Sequence, residues 1–311
     1  MRHFRTMGAP LLADVARSGI ASVLCLHLNR ALLLVVLAFM VCCGGSKSSP
    51  PTDHPRLTPR VTLRDITFRS AALGRDMQYR VIAPLQPAQK LPAVYLLHGG
   101  GGGFRDWSNY SDAAGFAESG QFLVMPEGES SYYTNAVDPA QDRFEDYITH
   151  DLINDVERRF LVAGGRANRA IIGVSMGGFG AVKIALRHPD LFIFAGGISS
   201  AIDVPRREFS WKRLHQSRHY ESIFGPSGSQ TRRDNDPFVL ARSANPQNAP
   251  YLFLTCGEQE GLLPSNREFA ALLGQRHFRY EFHTVRGGHD WNQWNAWLPT
   301  VFRSLEEHMP P

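Results

Sequence analysis

Cysteine is almost missing from the main body of this 311-residue chain. Cys25, Cys42 and Cys43 fall within the first 43 residues, and only Cys256 lies beyond them. A disulfide within the main body is therefore excluded, and an apolar core must supply its stability. Cys256 ends the apolar run Tyr251–Thr255, so it reads as a buried structural thiol rather than a reactive one. Net charge is missing too. The formal charge is +4, and residues 1–50 hold five basic residues (Arg2, Arg5, Arg17, Arg30, Lys47) against Asp14 alone. Residues 51–311 thus sum to about zero. That removes the electrostatic case for a nucleic-acid partner. No apolar run reaches the roughly 20 residues of a membrane span, and the chain has no internal repeat.

The marked apolar run that is present, Ala31–Val41, follows Arg30 and leads into Cys42-Cys43-Gly44-Gly45-Ser46. Its length suits the core of a signal peptide. Residues 1–43 are expected to be a signal peptide, a lipoprotein signal lipidated at Cys42 or Cys43, or an uncleaved anchor. The long charged stretch before the run also allows a start downstream of Met1. The expected location is periplasmic, extracellular or membrane-anchored, with membrane attachment confined to this segment. Residues 44–60, rich in Ser, Pro and Gly, read as a disordered linker. Residues 61–311 read as one domain.

In that domain strands alternate with helices. Val61–Phe68 and Met77–Ala83 read as two early strands joined at Gly74. The apolar runs at 93–97, 122–125, 169–172, 192–198, 251–255 and 279–284 read as further strands. Helices are expected over 144–160, 178–187, 265–273 and 291–307. The order predicts an α/β class with a mainly parallel sheet covered by helices on both faces. Residues 201–250 break the rhythm. They carry Arg206, Arg207, Lys212, Arg213, Arg218, Arg232 and Arg233 with scattered aromatics. They read as a solvated excursion with short helices, or as a lid or substrate wall. Their place after a strand end favours the second.

Chemistry enters at Gly173-Val174-Ser175-Met176-Gly177. Between a strand and a helix this pattern reads as a nucleophile elbow, with glycines where side chains would clash. The motif alone is weak, because 28 glycines make chance matches common. Its company strengthens it. His98-Gly99-Gly100-Gly101-Gly102-Gly103 follows the 93–97 strand and suits an oxyanion loop, with the N–H groups of Gly100 and Met176 as donors. It lacks the Lys-Ser/Thr ending of a phosphate-binding loop. His98 suits a role in shaping that loop. His289, in Gly287-Gly288-His289-Asp290-Trp291, follows the last strand and suits the general base. The acid must fall between Ser175 and His289 in the chain. Local reasoning leaves Glu258 and Glu260 open, in Cys256-Gly257-Glu258-Gln259-Glu260.

From Thr62 to Glu307 these segments, with Asp106-Trp107 and Asn266-Arg267, resemble the esterase family of α/β hydrolases. That family includes esterase D (S-formylglutathione hydrolase), tributyrin, feruloyl and acetylxylan esterases, and antigen 85 mycolyltransferases. The resemblance implies an α/β-hydrolase fold and a serine carboxylic-ester hydrolase. Relatives usually carry Asp where Glu260 stands, so it implies a Ser175–His289–Glu260 triad, with Glu258 in reserve. Trp107 and Trp291, in the matching segments, are expected to contact substrate. No metal or cofactor is expected. The expected substrate is a small-molecule or polysaccharide ester, and export favours acylated carbohydrate. Two rivals stand beside this reading: an acyltransferase on the same scaffold, and a catalytically silent carbohydrate-binding module.

Overall fold

The computed structural model describes residues 52–309. The expected signal, its three cysteines and residues 44–51 of the expected linker lie outside the described residues. The first strands are Val61–Ser70 (β1) and Arg75–Pro84 (β2), paired antiparallel around a turn in which Gly74 takes φ +63°. A positive φ of that size suits glycine. Then come Ala93–Leu97 (β3), Phe122–Pro126 (β4), Arg169–Val174 (β5), Phe194–Ile198 (β6), Tyr251–Gly257 (β7) and Tyr280–Val285 (β8). The eight-stranded sheet has the order β1-β2-β4-β3-β5-β6-β7-β8. Only β2 pairs antiparallel with β4; from β4 through β8 all neighbours run parallel.

Each central strand is buried on both faces, which explains its unbroken apolar run. Tyr95, Leu97, Ile171 and Leu254 face one core layer, while Val94, Leu96, Ile172 and Phe253 face the other. The second layer is closed by two short helices, Asp106–Tyr110 (α1) and Ala114–Glu118 (α2), and by the last helix, Trp291–His308, through Trp294, Leu298, Val301 and Phe302. The first layer is closed by a helix built from Phe144–Asp146, a π-helical stretch Tyr147–Leu152 and Ile153–Arg159 (together α3). Helix α4, Met176–Arg187, is buried from Met176 to Leu186.

The registers bring the strand ends together. Leu97 lies opposite Gly173, Val174 opposite Ile198, Ile198 opposite Thr255, and Gly257 opposite Val285. The loops after β3, β5, β6, β7 and β8 therefore leave from one carboxyl edge, where open α/β sheets bind ligands.

Two expectations need correction. The linker was expected to run free to residue 60, yet the chain is docked from Asp53. The Asp53 carboxylate takes two hydrogen bonds, at 2.9 and 2.6 Å, from the fully buried Arg80 guanidinium, and the Arg56 N–H donates to the Ser108 carbonyl at 2.7 Å. A buried guanidinium needs a fixed anion, which sequence composition does not reveal. Second, of the two readings of residues 201–250, the less favoured one, a solvated excursion, does not hold. They form helices Leu214–Phe224 (α5), Gln230–Asp234 (α6) and Pro237–Ser243 (α7). Tyr220, Ile223 and Phe224 pack on Phe179 of α4. Arg232, 4% exposed, gives its guanidinium to the carbonyls of Gly225, Pro205 and Arg207. One of the charges read as surface is an internal tie.

Candidate active site

Ser175 sits between β5 and α4 at φ +56°, ψ −112°. A β-carbon in that region is strained, and such strain gathers at functional turns. Its neighbours explain the glycines. A Cβ at Gly173 would overlap the Gly177 backbone, and a Cβ at Gly177 would overlap the Leu97 carbonyl. The two flanking glycines thus let the turn close against itself and against β3.

The Ser175 hydroxyl lies 2.8 Å from His289 Nε2, and His289 Nδ1 lies 2.7 Å from Glu260 Oε2. The geometry is that of a hydroxyl donating to an imidazole whose other N–H donates to a carboxylate. Glu260 is 7% exposed, and its second oxygen accepts from the Ser199 hydroxyl at 2.6 Å and the Gly257 N–H at 2.8 Å. Burial, the largest influence, raises the carboxyl's pKa. The hydrogen bonds from His289, Ser199 and Gly257 outweigh it and hold Glu260 below the ordinary carboxylate range. Glu258 is exposed, and its N–H joins the Val285 carbonyl. Of the two candidates left open by spacing, only Glu260 meets His289.

The glycine loop lies beside the elbow. A Cβ at Gly100 would stand 3.9 Å from that of Met176. Met176 opens α4, so its N–H has no acceptor within the helix. Among the described residues neither that N–H nor the Gly100 N–H donates a hydrogen bond, which leaves both able to meet a developing oxyanion. His98 is fully buried beneath the loop. Its Nε2 accepts from the Gly128 N–H at 2.9 Å, and its Nδ1–H donates to the Gly99 carbonyl at 2.8 Å. Glu127 stands farther from Nε2, at 3.3 Å, so the shorter Gly128 contact sets the tautomer. With both nitrogens engaged, His98 shapes the loop and is not a base.

Trp107, expected to contact substrate, offers almost no surface for it. It is 1% exposed, and its indole N–H donates to the Leu97 carbonyl at 3.0 Å, so it pins the end of β3. Trp291 is half-buried, edge-on to Trp107 at 5.3 Å and to Trp294 at 5.1 Å between ring centres. Cys256 is fully buried, and burial, aided by the nearby Glu260 charge, pushes its thiol up to about 12. Among the described residues no group of three or more His, Cys, Asp or Glu side chains could hold a metal.

Sequence reasoning missed the residues that support the constellation. Ser199, at φ +49°, follows β6 and holds Glu260 while accepting from the Trp294 indole at 3.1 Å. Tyr133 donates its hydroxyl to the His98 carbonyl at 3.1 Å. Lys183, fully buried on α4, donates to the Tyr133 carbonyl, the Thr134 hydroxyl and Glu145 at 2.7, 3.0 and 2.7 Å. No local motif marks these positions, because each acts on a loop distant in the chain.

With this arrangement in view, lineage is decided by a match to the protein family described as "Putative esterase", which spans residues 70–305. The chain belongs to that esterase family. An acetyl esterase of Caldicellulosiruptor saccharolyticus is 24% identical over 267 residues, covering 79% of this chain and 99% of that one. The diacylglycerol acyltransferase/mycolyltransferase Ag85B of Mycobacterium leprae is 29% identical over 230 residues, covering 69% and 67%. Among solved structures, an S-formylglutathione hydrolase from Agrobacterium tumefaciens superposes with a TM-score of 0.70 at 18% identity, covering 83% of this chain and 99% of that chain. FphF, a fluorophosphonate-binding serine hydrolase of Staphylococcus aureus, gives 0.68 at 23%, covering 81% and 100%. The likeness to these structures establishes the α/β-hydrolase fold of this esterase-family chain.

Proposed function

We propose that the protein is an exported serine esterase that cleaves carboxylic esters through a Ser175–His289–Glu260 triad. The observation that carries this reading is the continuous hydrogen-bonded line from Ser175 through His289 to Glu260, at 2.8 and 2.7 Å. Ser175 attacks the ester carbonyl while His289 Nε2 takes its proton. The N–H groups of Gly100 and Met176 receive the oxyanion, each worth about 3–4 kcal/mol in the transition state. His289 then protonates the leaving alcohol, and a water activated by His289 releases the acyl group from Ser175. Glu260 keeps the imidazole in the tautomer with Nδ1–H and stabilises the imidazolium. Residues 201–250, anchored on Phe179, supply a substrate wall, and the half-buried Trp291, packed on Trp294 next to His289, offers an aromatic surface. An acylated carbohydrate suits an exported enzyme, and the similarity to an acetyl esterase supports a short acyl group.

The test is turnover of p-nitrophenyl acetate and acetylated xylan by the full chain. The parent hydrolyses ester, and Ser175→Ala loses at least about 10³-fold in kcat. Equal turnover by Ser175→Ala would sink the nucleophile assignment. The similarity to an acyltransferase supports one second reading, acyl transfer to a sugar. Added acceptor alcohols separate the two: transfer yields new esters at the expense of free acid, and hydrolysis does not. Export is checked by cell fractionation, and recovery in the cytosolic fraction contradicts it.

A further inference from the structure

Of the five tryptophans only Trp211 stands in water, at 79% exposure. Trp107 and Trp294 are buried, and Trp291 and Trp297 are half-buried. Trp211 opens a 3₁₀ turn, Trp211–Arg213, that runs directly into α5. Phe209 packs edge-on against it, with 5.0 Å between ring centres. An indole so placed leaves in water an apolar area that folding or binding normally covers.

Positive charge gathers at the same place. Residues 206–218 hold Arg206, Arg207, Lys212, Arg213 and Arg218 against Glu208 alone, although residues 51–311 sum to about zero. Arg206 is paired with Glu268 at 2.9 Å and Arg207 with Asp203 at 2.8 Å. Lys212, Arg213 and Arg218 are exposed and have no ion pair among the described residues. Helix α5 keeps its two sides apart. Tyr220 and Phe224 pack around Phe179 on the inner side, with Ser217 buried in line with them. Trp211, Lys212, His215 and Arg218 stand on the outer side. They are therefore not part of the inner wall.

The combination selects the partner. Unpaired cations alone make an ordinary solvated face. Cations beside an exposed aromatic pair fit the boundary of a bilayer, where an indole keeps its N–H wet and its rings dry. A small-ligand site would enclose the ring in a hollow, whereas Trp211 projects from the surface. We propose that the outer face of Phe209–Arg218 docks this domain on an anionic lipid surface. Lys212, Arg213 and Arg218 meet acidic headgroups, each strengthening attachment roughly fivefold. Trp211, with Phe209 behind it, enters the interface beside them. The contact is separate from the attachment expected of the N-terminal segment, and it does not rest on the esterase reading.

Tryptophan emission of the full chain reads this contact alone, since residues 1–51 carry no tryptophan. The probes are vesicles of phosphatidylcholine, and of phosphatidylcholine mixed equally with phosphatidylglycerol. Emission shifts to shorter wavelength on the mixed vesicles and stays in place on phosphatidylcholine alone. Brominated acyl chains in the mixed vesicles quench the shifted emission, a readout that needs no variant. Trp211→Ala abolishes the shift. Lys212→Ser, Arg213→Ser and Arg218→Ser together reduce it at least about threefold. All four side chains are exposed, so melting curves of both variants match the parent. A parent without shift or quenching on the mixed vesicles overturns the proposal. So does a full shift in either variant or on phosphatidylcholine alone. An equal shift with soluble dextran sulfate assigns the face to polyanions and overturns it too.

Discussion

At Glu260 the proposed chemistry requires a carboxylate that stays ionised while nearly excluded from water. Three donors achieve this, and two of them, Ser199 and the Gly257 N–H, lie outside any triad motif. Glu260→Gln is expected to lower kcat for p-nitrophenyl acetate by about 10⁴-fold, because the amide no longer fixes the Nδ1–H tautomer. Glu258→Gln, on an exposed side chain, leaves kcat within about twofold. Equal losses in the two variants would return the acid to an open question. Ser199→Ala frees one Glu260 oxygen and lowers kcat about tenfold with KM within twofold, the split expected of a positioning residue. A rise in KM with kcat unchanged would contradict that role. Ser175, His289 and the glycines were legible because each must occupy a strained or tight turn, which leaves a local pattern. Ser199 was not, because its role depends on the end of β6 meeting the loop after β7.

Helix α4, expected over 178–187, is buried along nearly its whole length with Lys183 inside it. Burial pushes the Lys183 ammonium down to about 8, Glu145 opposes that shift, and the group is charged at pH 7. Glu145 is itself raised by burial, but Lys183, His188 and Arg187 together hold it well below the usual range. The pair ties the elbow helix to Tyr133, and through it to the His98 loop. Glu145→Gln leaves a buried ammonium without its anion and is expected to cost about 3–5 kcal/mol in urea unfolding, whereas Glu145→Leu with Lys183→Met costs less. Glu145 has its native pKa depressed, so its contribution is complete above the unfolded value of about 4.3. It is lost as pH falls from there through the folded value. Thermal melts from pH 6 to pH 3 should therefore fall more steeply for the parent than for the double variant below about pH 4.5. Parallel curves would show that the pair carries no pH-dependent stability. The strand set was legible because central parallel strands are apolar throughout. The packing of the short helices of 201–250 was not, because their apolar residues are few and face a small cluster around Phe179.

Across the whole molecule, the catalytic domain begins earlier than composition implies. Asp53 to Arg60 lack regular structure but close over Arg80, Ser108 and Glu118. A chain starting at Val61 loses the Asp53–Arg80 pair and should be less stable by about 1–3 kcal/mol than one starting at Asp53. That is a drop of about 2–4 °C in Tm for each kcal/mol. Equal melting temperatures would make the docked segment incidental. The layered α/β architecture was legible, since strand and helix patterns alternate with little ambiguity. The domain edge was not, since Ser- and Pro-rich chain looks the same whether it is free or held by a buried arginine.

The central claim is that one serine, activated by His289, forms the acyl-enzyme. Reaction of the full chain with a fluorophosphonate, followed by intact-mass and peptide analysis, tests it most directly. The account predicts one adduct per chain on the peptide that holds Ser175, ester turnover lost in proportion to labelling, and no adduct in Ser175→Ala. An adduct on another residue, or full labelling with turnover intact, would contradict it.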